Sequence, residues 1–144
     1  RSIAWGDFDA DGDMDLAGFE GQSQQLFLLE NKNGTLSRSS YRSVNARPFY
    51  YRVVKGIQFG DIDGDGHPDL VFGTEGGYFR EGSPGIPSLH IAFGAKGVEV
   101  DTVEPVPFAS PFGPINSVYV EDWNDDTAPD VYVGDVFGNV GIAY

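Results

Sequence analysis

Cysteine is absent from this 144-residue chain. That excludes a disulfide framework, a thiolate nucleophile and a zinc–thiolate centre, and it assigns no redox compartment. Basic residues are scarce: nine Lys and Arg stand against 22 Asp and Glu, a net charge of −13. Such a surface repels nucleic acid and anionic membranes, so polyanion partners are excluded. No apolar run approaches the roughly 20 residues of a membrane helix, so direct membrane insertion through a helix is excluded as well. Helix-favouring runs of Ala, Leu, Glu and Lys are also missing, whereas Gly (20) and Pro (9) are frequent. That balance points to short strands and turns. What is present is an apolar fraction of 40%, with 14% aromatic residues. This is enough for one core and too much for a disordered chain.

The acids are clustered, and the clusters repeat. One segment runs Trp5-Gly6-Asp7-Phe8-Asp9-Ala10-Asp11-Gly12-Asp13-Met14-Asp15-Leu16. A second runs Phe59-Gly60-Asp61-Ile62-Asp63-Gly64-Asp65-Gly66-His67-Pro68-Asp69-Leu70. A third runs Val120-Glu121-Asp122-Trp123-Asn124-Asp125-Asp126-Thr127-Ala128-Pro129-Asp130-Val131. Short alternating apolar runs flank each one: Ile3–Trp5 and Leu16–Phe19, Ile57–Phe59 and Leu70–Gly73, Val118–Val120 and Val131–Gly134. They are rich in β-branched and aromatic residues and too short for helices, so they read as strands. A third strand follows at Gln25–Leu29, Ser88–Phe93 and Asn139–Tyr144. Turns are expected at Asn31–Gly34, where Asn-Gly is a strong hairpin signal, and at Gly94–Gly97. Fourth strands are expected at Thr35–Tyr41 and Val98–Val103. Each unit is then an antiparallel meander.

In these loops the acids fall at positions 1, 3, 5 and 9. Carboxylates converging in a tight turn repel one another unless a cation sits among them. A hard dication that accepts six to eight oxygens in irregular geometry, Ca²⁺, suits the set better than Mg²⁺, which demands a strict octahedron. Position 6, Gly12 and Gly66, is where positive φ is expected. Position 7, Asp13 or His67, is expected to offer its backbone carbonyl. An EF-hand is excluded, because it needs Glu at position 12 and flanking helices. Position 12 here is Gly18, Phe72 and Val133, and the flanks are strands.

On these residues the chain resembles the FG-GAP/VCBS repeat family, the blades of integrin-α-like β-propellers. Phe59-Gly60 and Trp5-Gly6 match the FG element, and the two complete acidic loops match the family's calcium loops. The resemblance implies metal ligands at Asp7, Asp9, Asp11, Asp13 and Asp15, and at Asp61, Asp63, Asp65, His67 and Asp69. It implies a weaker third site at Asp122, Asn124, Asp126 and Asp130, where Asn124 replaces an acid and Thr127 replaces the glycine. The implied fold is all-β: tandem antiparallel four-stranded blades, about three of them, in one segment over 1–144. The units are placed at 1–42, 56–104 and 115–144, the last lacking its fourth strand, with loop insertions at 43–55 and 76–87. Three blades are fewer than a ring needs, and both chain ends read as cut within strand-like sequence. The segment is therefore expected to belong to a larger propeller or assembly.

The function implied is a calcium-stabilised binding or scaffold module for protein–protein interaction or adhesion. Its expected location is extracellular, cell-surface or periplasmic, where free calcium suits weak sites. The alternative is a lectin, with Phe49, Tyr50, Tyr51, Tyr78 and Phe79 stacking on a glycan. A hydrolase is the least favoured reading. His67 lies in a calcium loop, His90 in an alternating strand, and no Ser/His/Asp spacing or phosphate loop accompanies them. The chain is expected not to be an enzyme. Asn33-Gly34-Thr35 matches a glycosylation sequon, but Asn-Gly is first of all the hairpin turn.

Overall fold

The computed structural model describes residues 3–20, 25–44, 54–74, 89–95, 99–106 and 114–143. Among the described residues eleven strands, all antiparallel to their neighbours, form three sheets. The first contains β1 (Ile3–Gly6), β2 (Asp15–Glu20), β3 (Gln25–Lys32) and β4 (Thr35–Val44), in that order. The second contains β5 (Val54–Gly60), β6 (Asp69–Thr74), β7 (Leu89–Ala95) and β8 (Glu99–Val106). The third has three strands among the described residues: β9 (Ile115–Glu121), β10 (Asp130–Asp135) and β11 (Val140–Ala143). Within each sheet, neighbours in sequence are neighbours in space, as is usual for antiparallel sheets.

The strands run past their expected ends. β3 continues through Glu30, Asn31 and Lys32, beyond a break in the β3–β4 register between Leu29 and Asn31. The matching break in the second sheet lies between Phe93 and Gly94, so Gly94 and Ala95 belong to β7 rather than to a turn. The extra residues lie on the fourth strands: two steps along β3 face five along β4, and one step along β7 faces two along β8. Such an irregularity bends the strand that carries it. The β3–β4 turn itself is Asn33-Gly34, with φ of 53° and 82°. Positive φ at both turn residues matches the right-handed twist of the hairpin. Ser43 and Val44 are strand residues of β4, and Val54 and Lys55 open β5. Residues 45–53, and the expected insertion at 76–87, lie outside the described residues.

Corresponding registers define equivalent positions. Trp5↔Leu16, Phe59↔Leu70 and Val120↔Val131 are the same pair in the three sheets. The sheets pack face to face in order. Ala4, Ala17, Leu26 and Leu28 of the first meet Ile57, Leu70 and Phe72 of the second in one buried cluster. The opposite face of the second sheet, with Val71, Leu89 and Ile91, meets Val118, Val131 and Val133 of the third. The middle sheet is thus covered on both sides, and every residue of β6 is buried. Burial of these apolar faces, at about 25 cal/mol per Å², is what holds three small sheets together.

The glycine before each complete loop is a consequence of that packing. A Cβ on Gly6 would lie 2.5 Å from the Phe59 ring, and one on Gly60 would lie 2.5 Å from Val120. The aromatic-glycine pair therefore interlocks. The glycine of one sheet makes room for the bulky residue that precedes the glycine position in the next.

Candidate metal centre

Each acidic loop joins the first two strands of its sheet: β1 to β2, β5 to β6, β9 to β10. The three backbones follow one plan. Positions 4 and 6 are left-handed in all of them: Ala10 (57°) and Gly12 (95°), Gly64 (74°) and Gly66 (87°), Asp125 (62°) and Thr127 (77°). Position 6 is glycine in two loops for the reason the sequence indicates. At position 4 the second loop has Gly64, whereas Ala10 of the first loop gives no such signal. Thr127 is β-branched at positive φ, a strained state for such a residue. Thr127→Gly is expected to raise stability by about 1 kcal/mol and the melting temperature by roughly 3 °C, measured by thermal unfolding.

The aspartates divide the work by position. The first gathers amides across the turn: Asp7 accepts from Asp11 and Gly12 (both 3.0 Å), Asp122 from Asp126 (3.1 Å) and Thr127 (2.8 Å), and Asp61 from Gly66 (3.0 Å). The fifth holds the amide two residues on: Asp11 that of Asp13, Asp65 that of His67, Asp126 that of Ala128. The ninth is buried, with Asp15, Asp69 and Asp130 at 2%, 0% and 4% exposure. Asp15 accepts from the amides of Phe8 and Asn31, both at 2.8 Å. Asp69 accepts from Ile62 (2.7 Å) and Gly94 (2.8 Å), and Asp130 from Trp123 (3.1 Å). In the first two units this aspartate ties the loop to the third strand at its register break. In all three it fixes the position-2 backbone; in the first two units the position-2 side chain, Phe8 or Ile62, packs against the following sheet.

Two groups of acids converge. Carboxylate oxygens of Asp7, Asp9 and Asp15 lie within 4.8 Å of one another, as do those of Asp61, Asp63 and Asp65. Asp11 and Asp69 fall outside these groups, and Asp122, Asp126 and Asp130 form no such group. Asn124 accepts from the Asp126 amide at 2.9 Å. The side chain of Asp13 turns away from the first group and accepts the Asn33 amide at 2.7 Å, which anchors the β3–β4 turn. His67 lends its amide to the second loop.

The electrostatics are those of a site short of positive charge. Burial, reinforced by the charges of Asp15 and Asp11 and by a hydrogen bond shared with Glu30, raises the Asp9 carboxyl from 3.8 to about 6. Burial also raises Asp69, against the amides of Gly94, Ile62 and Asp63, which favour its ionised form. Lys32 lies 2.9 Å from Glu30 at the rim of the first loop. Asp9 Oδ1 and Asp61 Oδ1 are buried with no hydrogen-bond partner, which is costly for a carboxylate oxygen. Hard oxygen donors, converging and under-satisfied, fit a dication of calcium's type.

The fold and this site define a class: an all-β repeat built from small antiparallel sheets whose first hairpin carries an Asp-rich loop. Over residues 7–72 the chain matches the family model described as the FG-GAP-like repeat. The match runs from the first acidic loop to the strand after the second. No curated protein matches the chain at a significant level.

The described residues carry no nucleophile–base constellation, and the matched family is a repeat rather than a catalytic domain. His90 is buried in β7 and stacks on Phe72, with ring centroids 5.3 Å apart, within the sheet. The aromatic residues on which the glycan alternative rests, Phe49, Tyr50, Tyr51, Tyr78 and Phe79, lie outside the described residues.

Proposed function

We propose that the chain is a calcium-stabilised binding and scaffold module that acts outside the cytoplasm. The observation that carries this reading is the pair of converging carboxylate groups, each with a buried oxygen that no protein donor satisfies. In the first loop Asp7, Asp9 and Asp15 would hold the ion, with Asp11 beside them. In the second, Asp61, Asp63 and Asp65 would hold it, with Asp69 beside them. The ion neutralises the loop and staples the first two strands of its sheet together. The third loop offers three acids and the Asn124 amide, so it is the weakest of the three.

On this reading the three sheets are blades of a β-propeller, with units at about 1–42, 56–104 and 115–144. Such rings close with four to eight blades. A scaffold of this kind presents its loops to a protein partner while the ions keep the hairpins rigid. Calcium titration calorimetry is expected to give two sites with dissociation constants in or below the millimolar range of extracellular modules. A third, weaker phase belongs to the last loop. Fewer than two sites would reject the proposal.

A further inference from the structure

The first two acidic loops share aspartate at positions 1, 3, 5 and 9, yet the third strand of each sheet brings them different side chains. Leu29 of β3 and Ala92 of β7 pair with the equivalent residues Leu16 and Leu70. Glu30 and Asn31 are therefore equivalent to Phe93 and Gly94. The buried aspartates agree with this register, since Asp15 accepts the Asn31 amide and Asp69 that of Gly94. The first unit thus places an acid and a carboxamide where the second has an aromatic ring and no side chain. Phe93 packs in the cluster formed with the third sheet. Glu30 turns to the loop instead.

Glu30 stands at the register break between Leu29 and Asn31, and its side chain is only 15% exposed. Its carboxylate shares a hydrogen bond with Asp9, the position-3 acid of the converging group. Asp9 is half-buried, whereas Asp63, its equivalent in the second loop, is exposed. Asp9 Oδ1 and Asn31 Oδ1 are both buried with no hydrogen-bond partner among the described residues. The Asn31 carboxamide nitrogen donates to the Met14 carbonyl at 3.0 Å, which holds that side chain against the loop. Two acidic oxygens and a neutral one thus meet at the rim of the first loop, and nothing equivalent stands beside the second.

We propose that Glu30 is a further ligand of the first cation site, supplied by β3 from outside the acidic loop, and that it makes this site tighter and more calcium-selective than the second. Two carboxylates in contact repel unless positive charge lies between them, and the ion supplies it. Affinity at oxygen sites rises with the number of charged ligands. Calcium accepts a ligand added in irregular geometry, whereas magnesium keeps its octahedron and its waters. Asn31 Oδ1 is a neutral oxygen of the kind calcium also takes. Lys32, 2.9 Å from Glu30, competes with the ion for the same carboxylate.

This inference rests on the calcium reading of the loops. The experiment is titration calorimetry of the whole chain with calcium and with magnesium, in an Asp63→Ala background that silences the second loop. Adding Glu30→Gln is expected to weaken the strongest remaining calcium site about tenfold, and to change magnesium affinity by no more than about twofold. Glu30→Asp keeps the charge but withdraws the carboxylate by one methylene, and should also weaken calcium. Lys32→Met should tighten it. In chelator, Glu30→Gln should leave the melting temperature unchanged or raise it, because it removes one of two acids in contact. A merely structural Glu30 would lower it. Far-ultraviolet circular dichroism checks that each variant folds. If the unsubstituted chain binds no calcium, the calcium reading falls and this inference with it. If it binds at two sites, and Glu30→Gln leaves calcium affinity intact or weakens both metals alike, this inference alone is overturned.

Discussion

Asp69→Ala is expected to lower the melting temperature by about 10 °C, and to do so equally in calcium and in chelator. Both oxygens of Asp69 accept backbone amides, from Ile62 within the loop and from Gly94 across the sheet. Removing the carboxylate strands two amides at a wholly buried site. At about 1–3 kcal/mol for each buried group left unsatisfied, the loss is roughly 3 kcal/mol. A domain of this size converts that to about 10 °C. Asp63→Ala makes the contrast. Asp63 is exposed and holds only the Asp65 amide, at 3.2 Å. Its loss should be nearly silent in chelator and should abolish the stabilisation that calcium gives the second loop. Equal sensitivity of the two variants to calcium would show that both acids serve only the ion.

The second large effect is the response to calcium and its dependence on pH. At a hundred times its dissociation constant, an ion adds about 2.7 kcal/mol per site. Two occupied loops should therefore raise the melting temperature by roughly 15 °C at pH 7. The direction of the pH dependence then reverses with the ion. In chelator, Asp9 has a folded value of about 6 against 3.8 unfolded, so the folded chain takes up a proton more readily. Stability therefore rises as the pH falls from 7 through 6 towards 4, and Asp69 acts in the same direction. In calcium the same proton competes with the ion, so stability falls over that range. Melting curves recorded from pH 7 to pH 4.5, with and without calcium, should converge. Parallel curves would place the ion away from Asp9.

Much of this fold was legible because its signals are local. Alternating apolar runs such as Val131–Gly134 mark strands, and Asn33-Gly34 marks the hairpin turn within two residues. The strand ends were less legible. Glu30-Asn31-Lys32 looks like the start of a turn, yet a bulge carries the strand through them. Gly94 reads as a turn residue but sits in β7, its amide held by Asp69. The acidic loops were visible as clusters, but the division of labour among the aspartates was not. Asp13, Asp15 and Asp11 are the same residue type, and only the fold decides which binds an amide across the sheet. The left-handed backbone at Ala10 left no mark on composition. Nor could alternation alone say that Trp5 would stay exposed while Phe59, its equivalent, is packed against the neighbouring sheet.

The stacking order has a kinetic consequence. Among the described residues every strand pairs with one next to it in sequence and the sheets pack in chain order, so the chain behaves as a short one-dimensional array. Local contacts of this kind favour rapid nucleation and allow one unit to open while the rest persists. The central unit, buried on both faces, is the last to open. Its β6 amides should exchange with solvent deuterium only through global unfolding. The amides of β1 and β11 should exchange through local openings of much lower free energy. Mechanical or proteolytic attack would accordingly begin at the outer units and advance inwards, and each ion would act as a latch on its own unit alone.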